Sequence, residues 1–334
     1  MNRTISRRIF SFVLLTPIAC AFLMFSCNRT DNKKNDQTNN SEFHNHLLPT
    51  SVSIMYEQPL EVPQEYFFFK GFAGKSFLEH VVTQSINGSL KASYPFSTID
   101  YTTDEVKERI QSVKHEITNM IFDEDWQLDT TQFKMKKYVR SYTLVREYVR
   151  NSPNFGSDTV KSLIATFNAP QTIDVPFEDL TLLARDVAYE VPLINEENPE
   201  WVENMPRKRT MQLIIDKLLN GEQAYSFYRR DTLQPLSLDA VKLNLGEEVN
   251  YEIMYDELND AMDTIAIPRA IDINEFVGLV FIEDWYYDKA TLRLYKDVKG
   301  IAPVRQYEKL LNDGYETVRT MPLMMFFSNH KKGK

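Results

Sequence analysis

The chain has 334 residues, of which 43% are hydrophobic and 12% aromatic, so it can bury a sizeable core in about two ordinary domains. The formal net charge is −9 and no basic stripe is present, which argues against a nucleic-acid partner. Both cysteines lie within the first 27 residues, so disulfides cannot stabilise the remainder of the chain.

The N-terminus has the pattern of a lipoprotein signal peptide over residues 1–26. Three arginines precede the apolar run 9–25, which ends at Ser26 and Cys27. A small residue before a cysteine at the end of such a run predicts lipidation of that cysteine, here Cys27, with Cys20 as the other candidate. A twin-arginine signal and an uncleaved anchor are the alternatives, but the run is short for a spanning helix.

Residues 27–50 are rich in Asn, Asp, Lys, Thr and Ser, and this composition predicts a flexible tether. No dense acidic run follows Cys27, which favours a lipid-anchored, periplasm-facing position, most of all on the outer membrane, with the cell surface as the alternative. His44 and His46 could bind a metal, but with five histidines in the chain a solvated linker is the favoured interpretation.

The first predicted module spans residues 51–150. An aromatic run at 66–69 predicts a buried strand, and apolar residues at helical spacing over 77–86 predict a helix that ends at Asn87 and Gly88. A second helix is expected to begin at Thr102 or Thr103, followed by strands at 117–122 and 133–149 around Trp126. Residues 151–176 are predicted to be a linker with a short helix.

The second predicted module spans residues 177–330. It contains an apolar helix at 211–219 closed by Asn220 and Gly221, and an acidic insertion at 246–270. A strand, a turn and a second strand follow over 276–296, and Pro303 is expected at an edge or a strand end. Residues 317–328, which include Pro322, are predicted to be a final edge strand.

The two modules share sequence. Ile121–Asp129 aligns with Val280–Asp288 at an offset of 159, and the two segments have identical Phe, Glu, Asp, Trp and Asp residues. Tyr56–Leu60 aligns with Tyr189–Leu193, and Asn87-Gly88 with Asn220-Gly221, both at an offset of 133. Such collinear matches indicate a duplicated module with an insertion in its second copy.

The stretch from Trp285 to Lys289, the strand after it and Gly300–Val304 together resemble the C-terminal part of the GldN/PorN family of gliding-motility and type IX secretion ring proteins. The resemblance covers roughly residues 180–327, with 51–150 as a decayed copy in which Ser141–Val145 replaces the Gly-Ile-x-Pro-Val element. A lipobox-like N-terminus also departs from the usual family member. The candidate structural or interface residues are Trp126, Trp285, Tyr286, Tyr287, Asp288, Gly300 and Pro303.

The acidic pairs Glu124/Asp125 and Glu283/Asp284 suggest acid–base chemistry, but adjacent strand residues point to opposite faces. A solvated shoulder of a hairpin, or a structural hydrogen bond specific to the family, is therefore the favoured interpretation. Motifs for a catalytic serine, a Cys–His pair, a P-loop or a dinucleotide site are missing from the sequence. We predict no catalytic, cofactor-binding or metal-binding residues.

The predicted fold class is α+β, with two tandem copies of a module in which two helices cover a small, mostly antiparallel sheet. The resemblance implies a non-enzymatic component of a secretion or motility machine with protein partners, including self-association, and with the membrane reached through the lipid anchor. Alternatives are a lipoprotein hydrolase or ligand-binding protein that uses the Glu-Asp-Trp shoulders, or a lipoprotein of unrelated role that retains the fold.

Overall fold

Strands dominate the computed structural model of the protein, which describes residues 51–61, 71–152, 156–168, 175–229, 233–256, 261–311 and 314–327. In this part of the chain the helices are α1 (Gly74–Ile86), α2 (Thr103–Arg109), α3 (Arg207–Leu219) and α4 (Leu238–Leu245). The strands are β1 (Val52–Pro59), β2 (Ile117–Asp129), β3 (Lys134–Ser152), β4 (Gly156–Asn168), β5 (Thr181–Pro192), β6 (Ala224–Tyr225), β7 (Glu248–Asp256), β8 (Ala261–Arg269), β9 (Phe276–Tyr287), β10 (Leu294–Leu311), β11 (Gly314–Thr320) and β12 (Met324–Phe326).

Local sequence sets the ends of the helices as predicted. Thr102 is the N-cap of α2 and forms a capping box with Glu105, which satisfies two amide groups that the helix itself leaves without partners. Helices α1 and α3 each end at an asparagine followed by a glycine. Gly88 and Gly221 have φ values of 75° and 98°, the left-handed conformation that glycine adopts without steric cost.

The strands form one ten-stranded sheet and a separate β7–β8 hairpin, and every pairing among the described strands is antiparallel. The first half of the sheet has the order β1-β2-β3-β4. In the second half β5 pairs with β9, β9 with β10, and β10 with both β11 and β12. The mixed α+β class and the mostly antiparallel sheet are confirmed.

The two halves are joined into one sheet by a short ladder between β3 and β10, where Lys137 lies opposite Lys296 and Tyr138 opposite Tyr295. The expectation of two separate small sheets is therefore wrong. A single hydrophobic core contains Phe122 and Trp126 of the first half together with Phe281 and Trp285 of the second. The described residues between 51 and 327 belong to one compact unit.

The short helix predicted in the 151–176 linker is wrong, because residues Gly156–Asn168 form β4, which pairs along β3 from Ser141 to Ser152. Val160, Leu163, Ile164 and Phe167 have helical spacing, but long-range pairing with β3 outweighs this local preference. The final strand predicted at 317–328 is two strands, β11 and β12, separated near Pro322. The predicted strand at 66–69 and the whole N-terminal region through residue 50 lie outside the described residues.

Gly300 and Pro303 mark the place where the partner of β10 changes from β12 to β11. Gly300 lies opposite Phe326 of β12, and a Cβ atom at position 300 would lie 2.5 Å from the carbonyl oxygen of Met325. β10 pairs with β12 at residues 300–301 and with β11 from Arg305 onward, so Pro303 falls between the two ladders. Pro303 is thus inside strand β10 and not at its end, but it pairs only with Leu279 of β9, so it lies at a local edge, the other predicted alternative, where the lack of an amide hydrogen is tolerated.

The structure of the first half shows why its sequence does not need the Gly-Ile-x-Pro-Val element. Ser141 occupies the position that corresponds to Gly300, and a single strand, β4, pairs with β3 along this segment, with one register shift between Leu144 and Val145. Because the neighbouring strand is unbroken in the first half, neither the close approach of a glycine nor a proline at a gap is required. The Gly-Ile-x-Pro-Val element therefore corresponds to the break between β12 and β11.

We expect Gly300→Ala to lower the free energy of unfolding by about 1–3 kcal/mol, the typical cost of overpacking a well-packed site. The added methyl group must displace the backbone of β12 at Met325. Urea denaturation of the purified protein measures the change. Ser141→Ala, at the corresponding position of β3, is the control, and a loss as large as that of Gly300→Ala would contradict the explanation.

Candidate functional site

The two predicted tryptophans lie at the centre of the molecule, on equivalent strands of the two halves. Trp126 is on β2 and Trp285 on β9, and both are buried. Strand alternation places Glu124 on the same face as Trp126, and Glu283 on the same face as Trp285. The solvated shoulder expected for these glutamates is wrong, because both side chains have 0% exposure.

Each glutamate accepts a hydrogen bond from the tryptophan two residues later. Trp126 Nε1 donates to Glu124 Oε2 at 2.8 Å, and Trp285 Nε1 donates to Glu283 Oε2 at 2.7 Å. A buried indole N–H needs such an acceptor, and a carboxylate makes the bond charge-assisted. The Glu-x-Trp spacing is therefore a local device that holds a carboxylate inside the core.

The counter-ion of each glutamate comes from the other half of the chain. Lys296 Nζ lies 2.6 Å from Glu124 Oε1, and Lys137 Nζ lies 2.8 Å from Glu283 Oε1. All four charged groups are fully buried. Because an unpaired charge in such an environment is very unfavourable, the two carboxylates and two ammonium groups depend on each other.

Two tyrosine hydroxyls lie between the ion pairs. Tyr56 donates to Glu124 at 3.0 Å and accepts from Lys296 at 2.6 Å, while Tyr189 donates to Glu283 at 2.7 Å and accepts from Lys137 at 3.0 Å. The two hydroxyl oxygens are 2.9 Å apart and their rings are stacked. Two hydroxyl hydrogens serve three short O···O contacts, so the carboxylates compete with the Tyr–Tyr contact for them.

Aromatic rings surround both ammonium groups. Lys137 Nζ is 3.1 Å from the ring centre of Phe281 and 4.6 Å from that of Trp126. Lys296 Nζ is 3.6 Å from the ring centre of Phe122 and 3.9 Å from that of Trp285. Each lysine thus contacts the phenylalanine of the other half and the tryptophan of its own half, and these cation–π contacts offset part of its lost hydration.

Electrostatics of the network follow from burial and pairing. Burial alone would raise the pKa of Glu124, but the charges of Lys296 and Lys137 outweigh it and the pKa of Glu124 is lowered. Burial lowers the pKa of Lys137 to about 8 despite the opposing effect of Glu283 and Glu124, and it also lowers the pKa of Lys296. Burial and the nearby carboxylates raise the pKa of Tyr56 and Tyr189.

The neighbouring aspartates face the other side of the sheet, as strand alternation predicts. Asp284 Oδ1 accepts from the backbone amide of Asp186 at 2.8 Å and pairs with Lys299 at 2.8 Å. In the first half Asp125 lies 3.5 Å from Arg140 and accepts from Ser53. Asp284 is 8% exposed and the other members of these outer pairs are more exposed, and both pairs are separate from the buried network.

The other predicted candidates have structural roles around the β9–β10 turn. Tyr286 is half-buried and stacks on Phe177, and Tyr287 packs edge-to-face on Phe77 of α1. Asp288 accepts from the amide of Ala290 and the hydroxyl of Thr291, which closes the turn. None of these three side chains joins the buried network.

Sequence reasoning missed the two lysines and the roles of the two tyrosines. Lys137 and Lys296 are separated by 159 residues, the same offset that relates Trp126 to Trp285. Extending the repeat alignment past the tryptophans would have identified them. No pattern within one half reveals that the ion pairs cross, because that depends on how the halves meet.

Ligand sites are scarce in the described part of the chain. It contains no group of three or more His, Cys, Asp or Glu side chains that could hold a metal ion. A small depression next to Trp126 is lined mainly by apolar residues, including Met205 and Pro206. Among the described helices, none has the length and apolar character needed to cross a membrane.

The fold and the site define an antiparallel α+β protein whose central ionisable residues bind one another. Residues 177–329 match the model of the family described as Gliding motility associated protein GldN. Comparison with curated proteins and with solved structures gives no match.

Breaking one buried ion pair should be strongly destabilising. We expect Lys137→Met and Glu283→Gln each to lower the free energy of unfolding by about 3–5 kcal/mol, because each leaves a buried partner uncompensated. The double variant should lose less than the sum of the single losses, with a coupling energy of about 0.5–3 kcal/mol in a double-mutant cycle.

Lys299→Met is the control for this cycle, since the side chain of Lys299 is 19% exposed and also pairs with the exposed side chain of Asp186, so solvent compensates part of the lost interaction. Its loss should be clearly smaller. A loss below about 1 kcal/mol for Glu283→Gln, the usual value for a surface substitution, would contradict the buried pairing.

The pH dependence gives a second test. Since the pKa of Lys137 is about 8, below its ordinary value near 10.4, the unfolded chain binds more protons between these limits, and this group makes stability rise with pH there. Side-chain NMR should show Lys137 titrating near pH 8, with its signal identified by its loss in Lys137→Met. In Glu283→Gln the pKa should fall further, and an unchanged or higher value would refute the pairing.

Proposed function

We propose that this protein is a non-enzymatic, membrane-tethered assembly component related to the ring proteins of gliding motility and type IX secretion. The observation that carries the proposal is the match of residues 177–329 to the GldN family. The structure supports a scaffold role, because its central ionisable groups form ion pairs with each other and have no exposure to solvent. A substrate would have no access to Glu124 or Glu283 without unfolding the core.

The proposal includes a tandem duplication. Both halves have a strand, two helices and then a β-meander: β1, α1, α2 and β2–β4 in the first, and β5, α3, α4 and β9–β11 in the second. The β7–β8 hairpin is the insertion in the second half. The paired residues Gly88 and Gly221 follow corresponding helices, and Trp126 and Trp285 lie on corresponding strands.

Tethering rests on the sequence of the N-terminal region. The apolar run that ends at Ser26 and Cys27 supports acylation of Cys27, and the polar composition of residues 28–46 supports a tether after it. The absence of an acidic run after Cys27 supports a periplasm-facing position. Both features suit a protein that joins a membrane-bound assembly.

Strand β11 is the contact surface that we propose for a protein partner. It pairs with β10 on one side, and most of its side chains are exposed, including Tyr315 at 75%. An exposed strand at a sheet edge can accept an additional strand from another protein, with backbone hydrogen bonds giving affinity. An exposed tyrosine adds contact area at low entropic cost.

Recovery of partner proteins from native membranes tests the proposal. The tagged full-length chain should co-purify with other membrane-associated proteins after crosslinking, and Tyr315→Ala should reduce their recovery at least severalfold. Tyr315 is exposed, so this variant should keep the stability of the parent protein.

Val149→Ala is the matched control, because Val149 is an exposed apolar residue (62%) on the β3–β4 hairpin of the other half. Its recovery of partners should equal that of the parent protein. Purification of the parent chain without any reproducible partner would contradict the assembly role. Equal losses in both variants would contradict the assignment to β11.

A further inference from the structure

Five residues of the buried network are the same in both halves. Each half contributes one tyrosine, one phenylalanine, one glutamate, one tryptophan and one lysine: Tyr56, Phe122, Glu124, Trp126 and Lys137 from the first, and Tyr189, Phe281, Glu283, Trp285 and Lys296 from the second. The same ten side chains make the cross-half contacts described above. Equivalent residues of the two halves therefore make equivalent contacts across the face between them.

The contacts between the halves are reciprocal. Lys296 pairs with Glu124, and Lys137, its counterpart, pairs with Glu283. Trp126 packs on Phe281 with ring centres 4.8 Å apart, and Trp285 packs on Phe122 at 5.4 Å. Such reciprocity, in which one residue contacts a second and their counterparts make the same contact, defines an isologous interface of two-fold symmetry.

Backbone pairing has the same symmetry. In the β3–β10 ladder the directly opposite residues are Lys137 and Lys296, which are counterparts, and the strands are antiparallel. An antiparallel pair centred on equivalent residues has a two-fold axis at that point. The stacked rings of Tyr56 and Tyr189, whose hydroxyl oxygens are 2.9 Å apart, place a second pair of counterparts opposite each other.

The segments that precede α1 and α3 add a peripheral contact of the same kind. Phe72, just before α1, lies against Trp285 of the other half with ring centres 4.6 Å apart. Met205, just before α3 and 133 residues after Phe72, lines a depression with Trp126. The pre-helix segment of each half therefore lies next to the tryptophan of the other.

We propose that the face joining the two halves is a homotypic pairing site, which the first half occupies within the same chain and which would otherwise bind a second copy of the GldN-like half. This inference rests on the proposed duplication. Because the five central residues are identical, a pair of two second halves would reproduce every central contact: Lys296 of each copy would neutralise Glu283 of the other.

A half without a partner would lose its short ion pair across the face and expose a charged carboxylate, an ammonium group and several aromatic rings, so pairing is required for stability. The proposal also predicts how the full-length chain takes part in an assembly. Since this face is filled within the chain, external partners must bind elsewhere, and the full-length chain should not dimerise through it.

The test uses the full-length chain in detergent with a protease site inserted between Asn168 and Val175. After cleavage, the protein is unfolded in urea, refolded by dilution and analysed by native mass spectrometry. We expect the complex of first half with second half to dominate, accompanied by a complex of two second halves. The uncleaved chain should be monomeric.

Two matched variants make the test specific for the network. Lys137→Met removes an ammonium group from the mixed complex but none from the complex of two second halves, so it should raise the ratio of the latter to the former at least severalfold. Lys296→Met removes two ammonium groups from the complex of two second halves and one from the mixed complex, so it should lower that ratio.

Refolding that yields mixed complexes alone, or no complexes, would overturn the proposal. The proposal would also be overturned if Lys137→Met and Lys296→Met changed the ratio of the complex of two second halves to the mixed complex in the same way. These outcomes are independent of the co-purification experiment, which uses the uncleaved chain and the surface of β11. A failure of homotypic pairing is therefore distinguishable from a failure of the assembly role.

Discussion

The exchange of counter-ions between the halves is the interaction on which the rest of the structure depends. Each half buries a carboxylate whose shortest ion pair is with a lysine of the other half, at 2.6 Å for Glu124 and 2.8 Å for Glu283, whereas Lys137 lies 4.0 Å from Glu124 of its own half. The aromatic rings around this centre exclude water, which strengthens the attraction and increases the cost of a missing partner. The continuous sheet and the shared core follow from the requirement that both pairs form together.

This arrangement accounts for residues that otherwise suggest chemistry. A glutamate beside an aspartate and a tryptophan resembles part of a catalytic or sugar-binding site when it is seen in a sequence alone. In the structure the glutamates are bound by a lysine, a tyrosine and a tryptophan, and the aspartates face the opposite side of the sheet. The lowered pKa of Lys137 follows from its burial, which the neighbouring carboxylates Glu283 and Glu124 offset only in part.

Much of the fold could be predicted from local patterns, because the helix caps at Thr102, Gly88 and Gly221 depend on a few neighbouring residues. The repeat also located the tryptophans on equivalent strands. β4 was predicted as a helix because its pairing with β3 is not encoded in its own spacing. Likewise, the burial of Glu124 and Glu283 could not be predicted from one strand, since it depends on lysines contributed by the opposite half.

The crossed ion pairs also constrain how such a chain can evolve. If the halves arose by duplication, as proposed above, each was free to diverge only where it did not contact its counterpart. The first half lacks the Gly-Ile-x-Pro-Val element, which in the second half serves a break between two strands that the first half does not have. It has kept its glutamate, tryptophan and lysine, because a substitution at any of them would penalise the other half as well. The ancestral sequence is therefore best preserved where the two halves meet, and selection on one half acts through the stability of both.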